Sequence, residues 1–236
     1  MNRKNLIISK LNGVYRLLTN PMLVKTCMYA TLLIFLPALL IGVIIAYFFG
    51  PESYNIWDNY ISDLGSLNYT PAPLLLDISA MLTSILFIPI FIYFSTLLFK
   101  DYKEYPGFFG KTFRFITKTL SLIGLFFLFL ASLGFFGIGL FSEDRTTELG
   151  LHLQFSVLVF GAFGLASIYN GLVIMLKDTI FHIILGLFMF FSTPAMGILF
   201  IVNPPSVSQP FLEWMILFSI MLWIIPIYFT IYKTFE

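Results

Sequence analysis

The sequence predicts an all-α, polytopic integral membrane protein. The expected architecture is a six-helix transmembrane bundle with both termini cytoplasmic, an N-terminal in-plane amphipathic helix and a short extracytoplasmic helix between spans one and two. Three observations carry this reading. Six apolar runs, near residues 26–49, 72–99, 115–141, 151–176, 180–202 and 211–232, each reach the ~20 residues that a span requires. With 59% hydrophobic, 19% aromatic and 11% charged residues, a soluble chain of 236 residues would have too little polar surface to cover itself. The 13 Lys and Arg residues are also segregated: all but Arg145 lie before the first run, between the second and third or at the start of the third (Lys118), at Lys177 or at Lys233. The positive-inside rule therefore places both termini in the cytoplasm of a cell-membrane protein.

Residues 1–25 read as a cytoplasmic amphipathic anchor and 26–236 as a single six-span domain, with no internal repeat to divide it. Across residues 5–19, Leu6, Leu11, Val14 and Leu18 are interleaved with Lys10, Asn12 and Arg16, the spacing of a helix lying in the headgroup plane. Asn20-Pro21 then turns the chain into the bilayer. The first apolar run is too long for a signal-peptide core and no small-x-small site follows it, so it is expected to stay attached. Pro37, Pro89, Pro194 and Pro226 interrupt four spans, which in lipid requires neighbouring groups to satisfy the freed carbonyls and so predicts kinked, mutually packed helices. The 100–114 loop, with its Pro106-Gly107 turn, reads as a connection. Asp178 reads as the cap of the fifth span, and Glu213, following Pro210, as a first-turn partner of the sixth span's dipole. Cys27 is the single cysteine and reads as a small core residue without a disulfide. A net charge of +1, with basic residues already explained by leaflet electrostatics, gives no reason to expect nucleic acid as a partner.

The polar residues of interest fall on the outer face. Within residues 53–65, Ile56, Trp57, Tyr60, Ile61 and Leu64 share one helical face. This spacing predicts a short helix capped by Ser53 and ended at Gly65, with Trp57 and Tyr60 at headgroup depth and Asn55, Asp58 and Ser62 toward water. Asp63 would then lie in the last turn, where the dipole disfavours a carboxylate, and would need a cation or donor such as Arg145 or His152. Asp77 sits about one turn inside the second span on a face continuing through Ala80, Met81 and Ser84. A buried carboxylate there is a functional candidate by default.

Before the fourth span, Glu148 and His152 are spaced i, i+4, with Thr146 or Thr147 as cap and Glu148 complementing the dipole. His152 is less easily explained, since a cationic imidazole is disfavoured at a helix N-terminus and a neutral one is wasted as an apolar group. Below it, Ser156, Gly164, Ser167 and Gly171 would let another helix approach. The candidate catalytic residues are His152, Asp63 and Asp77, with Ser62 as a possible nucleophile outside any GxSxG elbow. The candidate ligand-binding residues are Ser62, Glu143, Asp144, Arg145, Glu148, Trp57 and Tyr60. A divalent metal, were one bound, would draw on Asp63, Asp77, Glu148 and His152, although the spacing is not HExxH.

Ile61-Ser62-Asp63-Leu64-Gly65 after the first span, followed by Ser142-Glu143-Asp144 and His152 before the fourth, resembles the prokaryotic six-span membrane family catalogued as domain of unknown function nine-nine-eight, related to the Frag, DRAM and Sfk membrane proteins. The resemblance extends over roughly residues 24–232. It implies a compact six-helix bundle with its polar residues at the extracytoplasmic end, the matching positions being Ser62, Asp63, Glu143, Asp144 and His152. It implies no reaction, and the eukaryotic relatives are linked only loosely to lipid remodelling, lipid asymmetry and autophagy. The sequence thus predicts an acidic extracytoplasmic pocket that binds or remodels a membrane lipid. The alternatives are a membrane scaffold without catalysis, a carboxylate/His metal-dependent hydrolase and a small transporter. Oligomeric state is not legible.

Overall fold

The computed structural model describes residues 3–104 and 106–236. Seven α-helices follow one another: α1 (Arg3–Leu18), α2 (Pro21–Phe49), α3 (Leu74–Phe99), α4 (Gly107–Leu140), α5 (Leu151–Leu176), α6 (Ile183–Val202) and α7 (Gln209–Lys233). Two 3-10 helices, Ser62–Gly65 and Glu143–Arg145, lie in the α2–α3 and α4–α5 connections. Helices α2 to α7 are each long and apolar enough to cross a membrane, which makes the chain a six-helix, multi-pass architecture.

Consecutive helices pack on one another from α2 through α7, as short connections between antiparallel elements require. At the ends of this series α2 and α7 approach each other along the backbone much less than the consecutive pairs do. Side chains join them instead, the Thr31 hydroxyl donating to Tyr228 Oη at 3.1 Å and Lys25 Nζ to Tyr232 Oη at 3.4 Å. Between α5 and α6 the approach is closest at Gly171, where a Cβ would stand 2.7 Å from the Gly186 carbonyl oxygen, a contact that only small residues permit. Gly164, on the same predicted stripe, faces open space.

Local chemistry sets the helix ends. Asn20 caps α2, its Oδ1 accepting from the Met22 and Leu23 amides at 2.9 and 3.3 Å. Helix α4 begins earlier than its apolar run, at Gly107, whose φ of +74° a glycine adopts without strain. The expected cap at Asp178 is not formed: His182 Nδ1 accepts from the Ile184 amide at 3.2 Å, and Asp178 pairs with Lys103 at 3.7 Å. Near the chain termini, buried Lys177 donates to the Leu98 carbonyl at 2.9 Å and pairs with Asp101 at 2.9 Å. Lys118 reaches the same carboxylate at 3.3 Å. Although burial opposes them, these lysines hold the Asp101 carboxyl below its usual range. On α1, Leu11, Val14 and Leu17 remain exposed.

Candidate functional site

At the end of the bundle away from the termini, the α2–α3 connection forms a strap rather than the helix predicted across residues 53–65. Asn55 explains the difference: its Oδ1 accepts from the Trp57 and Asp58 amides, both at 3.0 Å. The Asn59 side chain in turn accepts from the Asn55 amide at 3.0 Å. Such side-chain-to-backbone bonds offer the chain an alternative to a helical ladder. Ser53 therefore caps nothing, and only Ser62–Gly65 winds into a 3-10 turn. Buried Tyr54 donates to the Tyr60 carbonyl at 2.7 Å. The strap is fastened to α7: Tyr60 Oη donates to Gln209 at 3.1 Å, Trp214 Nε1 to the Asn59 carbonyl at 3.2 Å, and the Ser208 hydroxyl to the Trp57 carbonyl. The Trp57 ring packs on Phe211 at 5.0 Å and stays about half exposed, suited to a headgroup boundary.

Asp63 occupies the first turn of this 3-10 helix, not the last turn of a longer one, so the dipole conflict expected from the sequence does not arise. Its carboxylate reaches back to the Tyr60 amide at 2.8 Å. Burial pushes the Asp63 carboxyl up to about 6 against the pull of that amide, and the neighbouring Glu143 adds to the rise. The expected pairing of Asp63 with Arg145 or His152 is absent. Arg145 goes to Asp77, Nη2 to Oδ2 at 2.6 Å, and also donates to the Gly139 and Leu140 carbonyls at 2.9 and 3.3 Å. It thus neutralises a carboxylate that is 3% exposed and caps the C-terminus of α4. Two glycines make room for Asp77. A Cβ on Gly65 would lie 2.7 Å from Asp77 Oδ1, and one on Gly139 2.4 Å from the Asp77 carbonyl oxygen.

Asp144 ties the two connections together, accepting from the Ser66 hydroxyl at 2.7 Å and the Leu67 amide at 2.6 Å. Both its oxygens are engaged, which makes it a structural clasp rather than a free ligand group. Helix α5 starts at Leu151, where its apolar run does, with Gly150 at φ +63° in the N-cap position rather than Thr146 or Thr147. Glu148 consequently lies exposed in the preceding turn, not on the helical face of His152. Thr146 still serves the helix start, its hydroxyl accepting from the His152 amide at 3.3 Å. His152 Nδ1 lies 2.8 Å from the Phe141 carbonyl oxygen. Because a carbonyl only accepts, Nδ1 carries a proton, so that Nε2 is the acceptor whenever the ring is neutral. A backbone carbonyl thus orients the imidazole, in place of the carboxylate expected. Asp63, Asp77, Glu148 and His152 do not gather as metal ligands, and among the described residues no group of three or more His, Cys, Asp or Glu side chains is placed to hold a metal ion.

What these elements do surround is a cavity in the bundle interior, about 110 Å³ in volume. Its polar end is lined by Ser62, Asp77, Ser142, His152, Ser156 and Glu213. Ser62 faces this space, not bulk water. Below, the walls are apolar, Phe35, Phe87, Phe163 and Ile224 among them, and the far end is marked by Thr31 and Tyr228. The sequence reading missed Glu213, which is buried and accepts from the Ile61 amide at 2.8 Å, fixing the ISDLG segment to α7. The available signal was its helical face, shared with Ile216, Ile220, Trp223 and Ile227, all buried. The arrangement can hold an amphiphile, present an imidazole acceptor to its polar end, and exclude water from its chain. Comparison with family models, with curated proteins and with solved structures found no match to this chain.

Proposed function

We propose that this chain binds a membrane lipid inside its bundle, with the lipid's polar end among Ser62, Asp77, His152 and Glu213 and its hydrocarbon between the apolar walls below. The cavity carries this reading, because one space joins a polar cluster to phenylalanine and aliphatic side chains. Between Glu213 and Tyr228 it follows α7 for ~22 Å at 1.5 Å per residue, against a hydrocarbon core of ~30 Å. The segregation of basic residues supports placing the polar end on the extracytoplasmic side. The six-span family resemblance puts its motif residues Ser62, Asp63, Glu143, Asp144 and His152 at this same end. Remodelling of the lipid, if the protein performs it, would fall to His152 as acid or base.

A scaffold is the second reading. The observation in its favour is that Asp77 with Arg145, Asp144 with Ser66, and Glu213 with Ile61 already satisfy one another, as a purely structural network does. His152→Gln separates the two. Glutamine can still donate to the Phe141 carbonyl but does not replace Nε2 as an acid/base group. Lipid binding requires the variant to keep its melting temperature and lose co-purified lipid. A fall of ~1–3 kcal/mol in stability with lipid unchanged would leave the scaffold standing.

A further inference from the structure

The charges around the cavity say which headgroup fits. Its lining contains Asp77 and Glu213 but no Lys or Arg. Arg145 reaches Asp77 from outside the cavity and is engaged by two backbone carbonyls besides. Glu213 is 7% exposed; its Oε2 takes the Ile61 amide, and none of the ion pairs among the described residues includes it. His152 offers Nε2 as an acceptor once Nδ1–H is committed to Phe141. Two hydroxyls on the lining, Thr83 Oγ1 and Ser142 Oγ, are each in residues 1% exposed; Thr83 Oγ1 makes no hydrogen bond, and Ser142 Oγ stands beside the Asp77 carboxylate. An unpartnered buried hydroxyl is costly and points to an absent partner. The polar end is therefore rich in acceptors and has no fixed cation of its own.

We infer, building on the lipid-binding reading, that the cavity selects a single-chain lipid whose head is not anionic and donates hydrogen bonds, namely a long-chain alcohol or a long-chain amine. Donors on such a head complement Glu213 and His152 Nε2, with Ser142 Oγ as a further acceptor. A phosphate or carboxylate head would bring negative charge beside Glu213 in a low-dielectric space, without the cation that buried anions need. Even a protonated His152 would only offset Glu213. An internal volume of about 110 Å³ lies below that of typical small-molecule sites, ~300–1,000 Å³, and leaves room for one hydrocarbon chain at most.

The test uses the full chain in phosphatidylcholine nanodiscs, with stearyl alcohol, stearylamine, stearate or stearoyl lysophosphatidate added at equal mole fraction and the thermal midpoint read for each. The alcohol and the amine are expected to raise the midpoint, and the two anionic lipids to leave it unchanged. Glu213→Gln, whose side-chain oxygen can still accept from Ile61, should lose most of the amine shift and keep the alcohol shift. Ser142→Ala removes a hydroxyl beside the Asp77 carboxylate, which Arg145 still holds, so its ligand-free midpoint should fall little while both shifts shrink. Equal or larger shifts with stearate or lysophosphatidate, or unaltered shifts in both variants, would overturn the headgroup assignment while leaving lipid binding intact. A flat response to all four lipids would instead remove the lipid-binding reading beneath it.

Discussion

Gly65→Ala should destabilise the protein through a residue twelve positions away in sequence. The new Cβ would stand 2.7 Å from Asp77 Oδ1 and 3.5 Å from Ser142 Cβ; the second distance is an ordinary contact and the first is not. Asp77 cannot easily withdraw, being buried and held at 2.6 Å by Arg145. Overpacking of this kind costs ~1–3 kcal/mol, and loosening a charge-assisted hydrogen bond ~1.5–3 kcal/mol. Allowing for partial rotation of the carboxylate, the expected loss is ~2–4 kcal/mol. In an Asp77→Ala background the obstacle is gone, so the same substitution should cost less than ~1 kcal/mol, a coupling of ~2 kcal/mol. Reversible unfolding in mixed micelles of rising SDS fraction measures all four corners of the cycle. Gly164→Ala, with open space at its Cβ, serves as a control and should be neutral or gain up to ~1 kcal/mol from lost glycine flexibility. An equal penalty for Gly65→Ala in both backgrounds would refute the reasoning.

Two further outcomes are expected. With the Asp63 carboxyl pushed up to about 6 from ~3.9 in the unfolded chain, the folded state holds the extra proton between those values. Stability should therefore fall by on the order of 2–3 kcal/mol as pH rises from ~4 to ~6, then level off. Asp63→Asn keeps an acceptor for the Tyr60 amide and should flatten that slope; parallel pH profiles of the two proteins would count against it. For the proposed topology, cysteines at exposed Leu67 and Ser206 should react with an impermeant reagent in intact cells while one at Lys103 should not, the native Cys27 being buried. Ser66 is unsuitable as a reporter because it is buried on Asp144. The reverse pattern would invert the chain.

The six spans were legible because lipid imposes length and apolarity on each, and the predicted 151–176 run coincides with α5 (Leu151–Leu176). Partner choice was not. Arg145 was foreseen as the lone outer cation, but Asp63 and Asp77 competed for it, and only the glycine-lined contact at Gly65 and Gly139 decides between them. The strap shows a different failure: Ile56, Trp57, Tyr60, Ile61 and Leu64 have helical spacing, yet Asn55 and Asn59 divert the backbone bonds that a helix would need. Glu213 was assigned by its place near a helix start when its face was the better guide. A cavity depends on how five helices diverge, which no single helix's periodicity encodes.

The join between α2 and α7 determines how occupancy of this protein would have to be reckoned. Because the two helices are joined through Thr31, Tyr228, Lys25 and Tyr232 and lack the extensive backbone contact of consecutive helices, a lipid bound as proposed would part the fewest contacts by entering sideways between them. A lipid arriving this way never passes through water, and its aqueous concentration does not describe its supply. Saturation would follow the ligand's share of the surrounding bilayer. Adding empty vesicles at constant protein and ligand would strip the site by diluting the ligand in two dimensions, whereas adding buffer would leave it filled.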